Sequence, residues 1–393
     1  MKKNIYIIGS KGIPAKYGGF ETFVEKLTEY KKNENIQYHI ACMEENSLKS
    51  GISDEYFDYN GSNCFNIKVP NIGPAKAIIY DILALKKAIE ISKKNMDRDP
   101  IFYILACRIG PIIFHFKKII KEMNGKLFVN PDGHEWLRGK WSFPVRRYWK
   151  FSERLMIKHS DIIICDSCNI EKYILHDYKK YNPTTHFIAY GTDMKKTLYD
   201  ESNKIVRKWY EDKNVREGNY YLVVGRFVPE NNYAIMIKEY MKSQTEKDFV
   251  LITNIEKNSF YEKLQRETDF LSDDRIKFVG TVYDQDLLKY IRENAFAYFH
   301  GHEVGGTNPS LLEALFSTQL NLLLDVPFNK EVSMDSALYW DKRPDSLAQL
   351  IDYTDHLSNQ QISKLKLKAS NRIASSYNWD LIINLYEKIF DEG

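Results

Sequence analysis

The sequence predicts an α/β protein built from two successive doubly wound units, and three observations carry that prediction. Short apolar runs alternate with amphipathic segments along the chain, the pattern of parallel sheets covered by helices. The alternation breaks at the polar, charged stretch 193–218 and then restarts. With 393 residues, 44% of them hydrophobic, the chain suits two domains that each bury a core.

In the first half, the apolar run Asn4–Ile8 reads as a buried strand and Thr22–Tyr30 as a helix. Tyr38–Met43 reads as a strand. Ala75–Lys94 is a long helix because Ile78, Ile79, Ile82, Leu83, Leu85 and Ile89 cluster toward one face. Strands are expected at Ile101–Ala106, Lys126–Asn130 and Ile162–Cys165, with helices at Ile112–Met123 and Phe143–His159. After the break, Tyr220–Val224, Phe249–Thr253, Lys277–Val279 and Ala295–Phe299 read as strands, with helices at about 231–244, 258–268 and 284–294. A last helix, from Trp379 to about Glu392, is expected to pack back across the junction. The expected domains are therefore 1–200, 201–378 and a C-terminal helix 379–393. Ligands of open parallel sheets sit beyond the carboxyl ends of strands, so a cleft between the two units is the expected site.

A net charge of only +3 argues against a dedicated nucleic-acid binder. Five cysteines without disulfide-framework spacing read as reduced thiols of a cytosolic protein. The apolar run after Met1-Lys2-Lys3 is too short for a signal peptide. The longest later run, Ile101–Phe116, is broken by Arg108, Gly110 and Pro111 and does not read as a membrane span. The expected location is cytoplasmic, with peripheral contact at the cytoplasmic membrane.

Three loops carry chemistry. The first, from Gly9 through Gly12, Gly18 and Gly19 to Glu21, follows a strand and opens a helix. It is either a flexible connection or a phosphate contact, and it lacks the Gly-x-Gly-x-x-Gly dinucleotide spacing. The second, Gly225-Arg226, lies at a strand's carboxyl end, where a guanidinium suits bidentate binding of a diphosphate. The third runs from His300 through Gly305, Gly306, Thr307 and Asn308 into a helix bearing Glu313, whose carboxylate suits vicinal hydroxyls such as those of a ribose. Each also has a plainer reading: a surface arginine starting a turn, and a solvated helix charge.

Together these stretches resemble the retaining GT-B glycosyltransferases of glycosyltransferase family 4. The closer likeness is to its bacterial polysaccharide rhamnosyltransferase branch. That likeness rests on the stretches Lys11–Thr22, Asn130–Trp141, Val224–Tyr233 and His300–Ala314. The resemblance implies two doubly wound Rossmann-like domains facing a central cleft. It further implies a hexosyltransferase, with dTDP-rhamnose as donor, that moves L-rhamnose to a lipid-linked saccharide acceptor in capsule or cell-wall synthesis. The nucleotide sugar is a substrate, and neither cofactor nor metal is implied. The donor-binding residues carried over are Gly18, Gly19, Arg226, Asn231, Gly305, Gly306, Thr307, Asn308 and Glu313. Asn231 stands where the wider family often has lysine, and Gly305 where it has the first glutamate of a pair. Glu303 or His302 is then a candidate substitute for that glutamate. On the acceptor side, Asp132 and Glu135 are candidates to activate or orient the acceptor hydroxyl, and Trp136, Arg138 and Lys140 to bind it. Asp132 also reads as a turn residue of Pro131-Asp132-Gly133. Alternatives are another nucleotide-sugar enzyme such as a GT-B epimerase, or a non-catalytic membrane-associated binding protein.

Between Glu135 and Lys158, basic residues outnumber acidic ones and interleave with aromatics. This pattern fits an anionic membrane surface, or equally a solvated basic helix whose aromatics enter the core. His300, His302 and Glu303 are metal-ligand types, but the adjoining glycine loop accounts for them better. Cys165 and Cys168 have redox-motif spacing without a thioredoxin layout.

Overall fold

The computed structural model describes residues 2–393 except 17, 140, 256 and 257. The chain forms two compact units: Met1–Gly191 with Gly305–Thr307 and Trp379–Gly393, and Thr192–Val304 with Asn308–Asn378.

The first unit holds β1 (Lys3–Ile8), β2 (Ile36–Met43), β3 (Tyr56–Tyr59), β4 (Ser62–Ile67), β5 (Ile101–Leu105), β6 (Lys126–Asn130), β7 (Ile162–Cys165) and β8 (Thr185–Phe187). Their order is β3-β4-β2-β1-β5-β6-β7-β8, parallel throughout except for the β3–β4 hairpin. Alternate residues of the central strands enter opposite faces. Tyr6, Ile8, Phe102, Ile104, Leu127 and Val129 pack with the helix Lys76–Asn95 in one cluster. On the other face, Tyr103 and Phe128 meet Phe390 of the helix Trp379–Glu392. Glu387 of that helix accepts hydrogen bonds from the Lys32 and Asn33 amides.

The second unit holds β9 (Tyr220–Val224), β10 (Asp248–Ile252), β11 (Ile276–Gly280), β12 (Ala297–His300), β13 (Leu320–Leu324) and β14 (Leu338–Trp340), all parallel, in the order β11-β10-β9-β12-β13-β14. Tyr221, Phe249, Phe299 and Leu322 build the core on one face; Tyr220, Leu222, Val250 and Tyr298 build it on the other.

The structure corrects the sequence reading at several elements. The polar stretch expected as a linker contains the helix Lys204–Lys213, which buries Val206, Trp209 and Tyr210. The hairpin of β3 and β4, the short strand β8 and the strands β13 and β14 are additional. The helix Asn359–Ser376 is also additional. The expected strand at 295 begins at Ala297.

Each sheet has one point where the chain reverses its direction of growth. In the first it lies between β1 and β5; in the second it lies between β9 and β12. Loops leaving two such neighbours diverge to opposite faces and open a crevice at their carboxyl ends.

Candidate functional site

In the second unit, the two loops singled out in the sequence are the two that part at this reversal. Gly225-Arg226 follows β9, and the loop leading to Asn308 follows β12. Arg226 is exposed, and among the described residues its guanidinium has no carboxylate partner. Asn231 is committed at both ends. Its amide donates to the Arg226 carbonyl at 2.7 Å, and its carbonyl oxygen lies 2.9 Å from His302 Nδ1. It therefore ties one loop to the other and fixes the backbone that carries Arg226. Asn232, in the left-handed region at φ 55°, donates to the Gly301 carbonyl at 2.7 Å and to Glu303 at 3.0 Å. Glu303 also pairs with Lys342.

Asn308 caps the helix Pro309–Ser317: its side-chain oxygen accepts from the Ser310 and Leu311 amides at 2.9 and 3.3 Å. One turn on, Glu313 Oε2 lies 2.6 Å from Nη2 of Arg292. The Glu313 side chain is 42% exposed, whereas that of Arg292 is 5% exposed. Glu313 Oε1 has no hydrogen bond among the described residues. Ser310 sits beneath, with Oγ 3.0 Å from the Tyr298 hydroxyl and 3.2 Å from the Val224 carbonyl it donates to. Arg292 was not anticipated. It is 21 residues upstream of Glu313 and reads from sequence as the solvated end of an amphipathic helix. His300 is buried, and desolvation lowers its pKa to about 3, with His302 adding to the effect. No cluster of three His, Cys, Asp or Glu able to hold a metal ion occurs among the described residues.

Gly305, Gly306 and Thr307 belong to the first unit. There the Thr307 hydroxyl donates to the Asp166 carbonyl. An added Cβ at Gly306 would collide with the Asp166 carboxylate, which would have to move to admit a larger residue.

The first unit's glycine loop is held by its own helix. Glu21 Oε1 accepts from the Lys11 amide at 2.8 Å, and Glu25 Oε1 from the Ala15 amide at 2.9 Å. Gly18, at φ 132°, caps the helix Gly19–Glu29 in a conformation that only glycine adopts freely, and Glu21 packs where its Cβ would lie. Across the β1–β5 reversal, Arg108 Nη1 donates to the Gly9 carbonyl at 2.9 Å and to Asp81 Oδ2 at 3.0 Å. Burial of Asp81 outweighs the attraction of Arg108 and raises its carboxyl to about 6.

Beyond β6, Asp132 adopts φ 58° and its amide donates to Asn130 Oδ1 at 2.8 Å. Burial raises the pKa of Asp132, opposed by Arg138 and aided by Glu135. Arg138 Nη2 is 3.9 Å from Asp132, and its Nε is 2.5 Å from Glu135 Oε2. Glu135 also accepts from Trp141 Nε1 at 2.8 Å. Asp132, Glu135 and Trp136 line one small cavity together with Trp149 and Glu153. Trp136 carries the Lys150 ammonium 4.5 Å from its ring centroid. Lys140 lies outside the described residues. The arrangement leaves Asp132 as the carboxylate least committed to fixed partners, whereas Glu135 orients Arg138 and Trp141.

Residues 2–193 match the family described as a domain of unknown function (DUF1972). No curated protein matches the sequence. Solved structures align along the whole chain. Sucrose-phosphate synthase from Thermosynechococcus elongatus is 16% identical, with a TM-score of 0.77 and 100% of each chain covered. A glycosyltransferase from Rickettsia africae is 14% identical, with a TM-score of 0.72, covering 100% of this chain and 98% of that one. Anabaena Alr3699/HepE in complex with UDP is 12% identical, with a TM-score of 0.72 and 100% of both chains covered. Two parallel-sheet α/β units in series, matching these structures throughout, give this chain the GT-B glycosyltransferase fold.

Proposed function

We propose that the protein is a retaining glycosyltransferase that moves a sugar from a nucleoside diphosphate to an acceptor hydroxyl. The observation that carries this reading is the placement of Arg226 and Glu313 on the two loops that part at the β9–β12 reversal. Arg226 supplies a guanidinium without a carboxylate partner among the described residues, suited to the diphosphate. Glu313, steadied by Arg292, supplies a carboxylate oxygen for a sugar hydroxyl of the nucleoside. Asn231 and Asn308 hold the two loops in place. Gly18, Gly19, Gly305, Gly306 and Thr307 are proposed as further donor contacts on the family resemblance alone.

In the reaction, the bond from the anomeric carbon to the diphosphate oxygen breaks and the acceptor oxygen bonds to that carbon on the same face. The acceptor proton leaves with the departing diphosphate. Asp132 orients the acceptor hydroxyl, with Glu135, Trp136 and Arg138 around it, and no metal or cofactor takes part. The finer reading is transfer of L-rhamnose from dTDP-rhamnose to a lipid-linked saccharide of capsule or cell-wall polysaccharide, by a protein peripheral at the cytoplasmic face of the membrane. It is supported by the likeness of the four long stretches to the rhamnosyltransferase branch. Among the structural relatives, HepE has been solved with UDP-glucose.

A thermal-shift screen of nucleoside diphosphates and their sugars tests the donor, with selective stabilisation by dTDP or UDP expected. Arg226→Ala and Glu313→Ala are expected to abolish transfer in folded protein; full activity in both variants overturns the reading. Conversion of a nucleotide sugar without an acceptor points instead to an epimerase.

A further inference from the structure

The helix Phe143–His159 buries Ser152, Glu153, Met156 and Ile157 on one side. Phe143, Arg147, Phe151, Arg154 and Lys158 are all exposed. At 3.6 residues per turn their spacing of four, four, three and four confines them to an arc of roughly 80°. Phe143 is 71% and Phe151 45% exposed, too much for core aromatics. Each carries a guanidinium: Arg147 lies 5.7 Å from the Phe143 ring centroid, and Arg154 lies 5.2 Å from that of Phe151. Among the described residues, Arg147, Arg154 and Lys158 have no carboxylate partner. The helix's Glu153 is turned inward, where the Tyr173 and Tyr178 hydroxyls donate to it. The neighbouring helix Gly110–Glu122 extends the surface with Phe114, 57% exposed and 5.5 Å from the His159 ring, and with exposed Lys118 and Lys121.

We infer that this face is where the protein seats on an anionic lipid bilayer, with Phe143, Phe151 and Phe114 entering the headgroup boundary and the guanidinium and ammonium groups lying against lipid phosphates. Exposed aromatics flanked by unpaired cations on one arc match the chemistry of such a surface: apolar just below, negative at the plane. A duplex nucleic acid would use the cations but leave three solvent-exposed phenyl rings without a role, and an acidic protein would bring no layer for the rings to enter. No described helix is long and apolar enough to span a membrane, so attachment on this face is interfacial. The inference deepens the proposed peripheral placement, but it stands on the helix surface alone and is read without donor or acceptor.

The test is co-flotation of the full-length protein with vesicles of phosphatidylcholine, or of phosphatidylcholine containing about 30% phosphatidylglycerol, at low and high salt. Flotation is expected with anionic vesicles and not with neutral ones, and it should weaken at high salt. The combined variant Arg147→Glu, Arg154→Glu, Lys158→Glu is expected to lose more than about tenfold in partitioning. Phe143→Ser with Phe151→Ser should retain the salt dependence but bind several-fold more weakly. All five positions are exposed, so the variants should unfold at the wild-type temperature. Equal binding to both vesicles, or undiminished binding by the charge-reversed variant, overturns the inference. So does preferential binding of a duplex nucleic acid. Transfer activity measured on soluble acceptors is unaffected in these variants if the two readings are separate. Absence of transfer by the wild-type protein would sink the proposed function while leaving the vesicle result intact.

Discussion

Replacing Glu313 with alanine should reveal, in one variant, both a structural debt and a binding role. Arg292 is buried, and Glu313 at 2.6 Å is its ion-pair partner. Among the described residues, its other side-chain hydrogen bond, to Ser310 Oγ at 3.4 Å, is weak. Removing one member of a fully buried pair costs about 3–5 kcal/mol. Here the carboxylate is 42% exposed, so water screens the pair and the expected loss falls to about 1–2 kcal/mol. For a unit of this size that corresponds to a melting temperature lower by about 2–8 °C. Arg292→Met removes the buried charge and leaves Glu313 free to hydrate, so its stability should stay within about 1 kcal/mol of wild type. Binding orders the two variants in the same way. On the proposed role, Glu313→Ala deletes a charged acceptor for a nucleoside hydroxyl, worth about 1.5–3 kcal/mol, or roughly 10- to 150-fold in Kd. Arg292→Met only releases the carboxylate from its fixed position, for a loss of about 3- to 10-fold. Calorimetric titration with dTDP and with UDP, beside thermal unfolding of each variant, reads both quantities. A Glu313→Ala protein with wild-type melting temperature and wild-type nucleotide affinity would refute the reasoning.

Three further outcomes are expected. Burial raises the pKa of Asp132, so the folded state disfavours its ionised form at pH above the ordinary carboxylate range. Asp132→Asn should therefore raise stability at neutral pH, with the gain vanishing in acid, while cutting transfer at least about 100-fold; urea midpoints and initial rates check the two. His39 is buried, and desolvation lowers its pKa from 6.5 to about 4. As pH falls from 7 to 5 the unfolded chain takes up a proton that the folded chain refuses, removing about 2 kcal/mol of stability. His39→Gln should flatten urea midpoints over that range. Arg108→Met leaves the fully buried Asp81 without its cation and should cost about 3–5 kcal/mol, most of it restored by adding Asp81→Asn, as a double-mutant cycle of unfolding free energies would show.

What the sequence made legible was the set of strands buried on both faces. Ile5, Ile7, Ile8 and Ile101–Leu105 are continuous apolar runs because helices cover both sides of the sheet, and each is fully buried. The β3–β4 hairpin escaped notice because the alternating exposure along β3 leaves no apolar run. Its signal was the turn, Asn60-Gly61, both at positive φ, the combination a tight hairpin requires. The helix Lys204–Lys213 was masked by its charge, since only Val206, Trp209 and Tyr210 face inward. In the site, Arg226 and Glu313 stood out because strand-end chemistry is local. The engagement of Asn231 with His302 and the pairing of Arg292 with Glu313 arise from folding, and no local pattern encodes them. The helix Phe143–His159 left the membrane and core readings balanced. The structure divides its aromatics: Tyr148 turns in to donate to the Arg108 carbonyl, while Phe143 and Phe151 remain in solvent.

The strut that Asn231 makes between the Arg226 carbonyl and His302 couples two segments about seventy residues apart. A change at position 302 shifts the backbone under Arg226, and a change at 231 releases both loops at once. Among relatives of this fold, these two positions should vary as a pair, and swapping either loop alone into a relative should transplant the residues without their geometry.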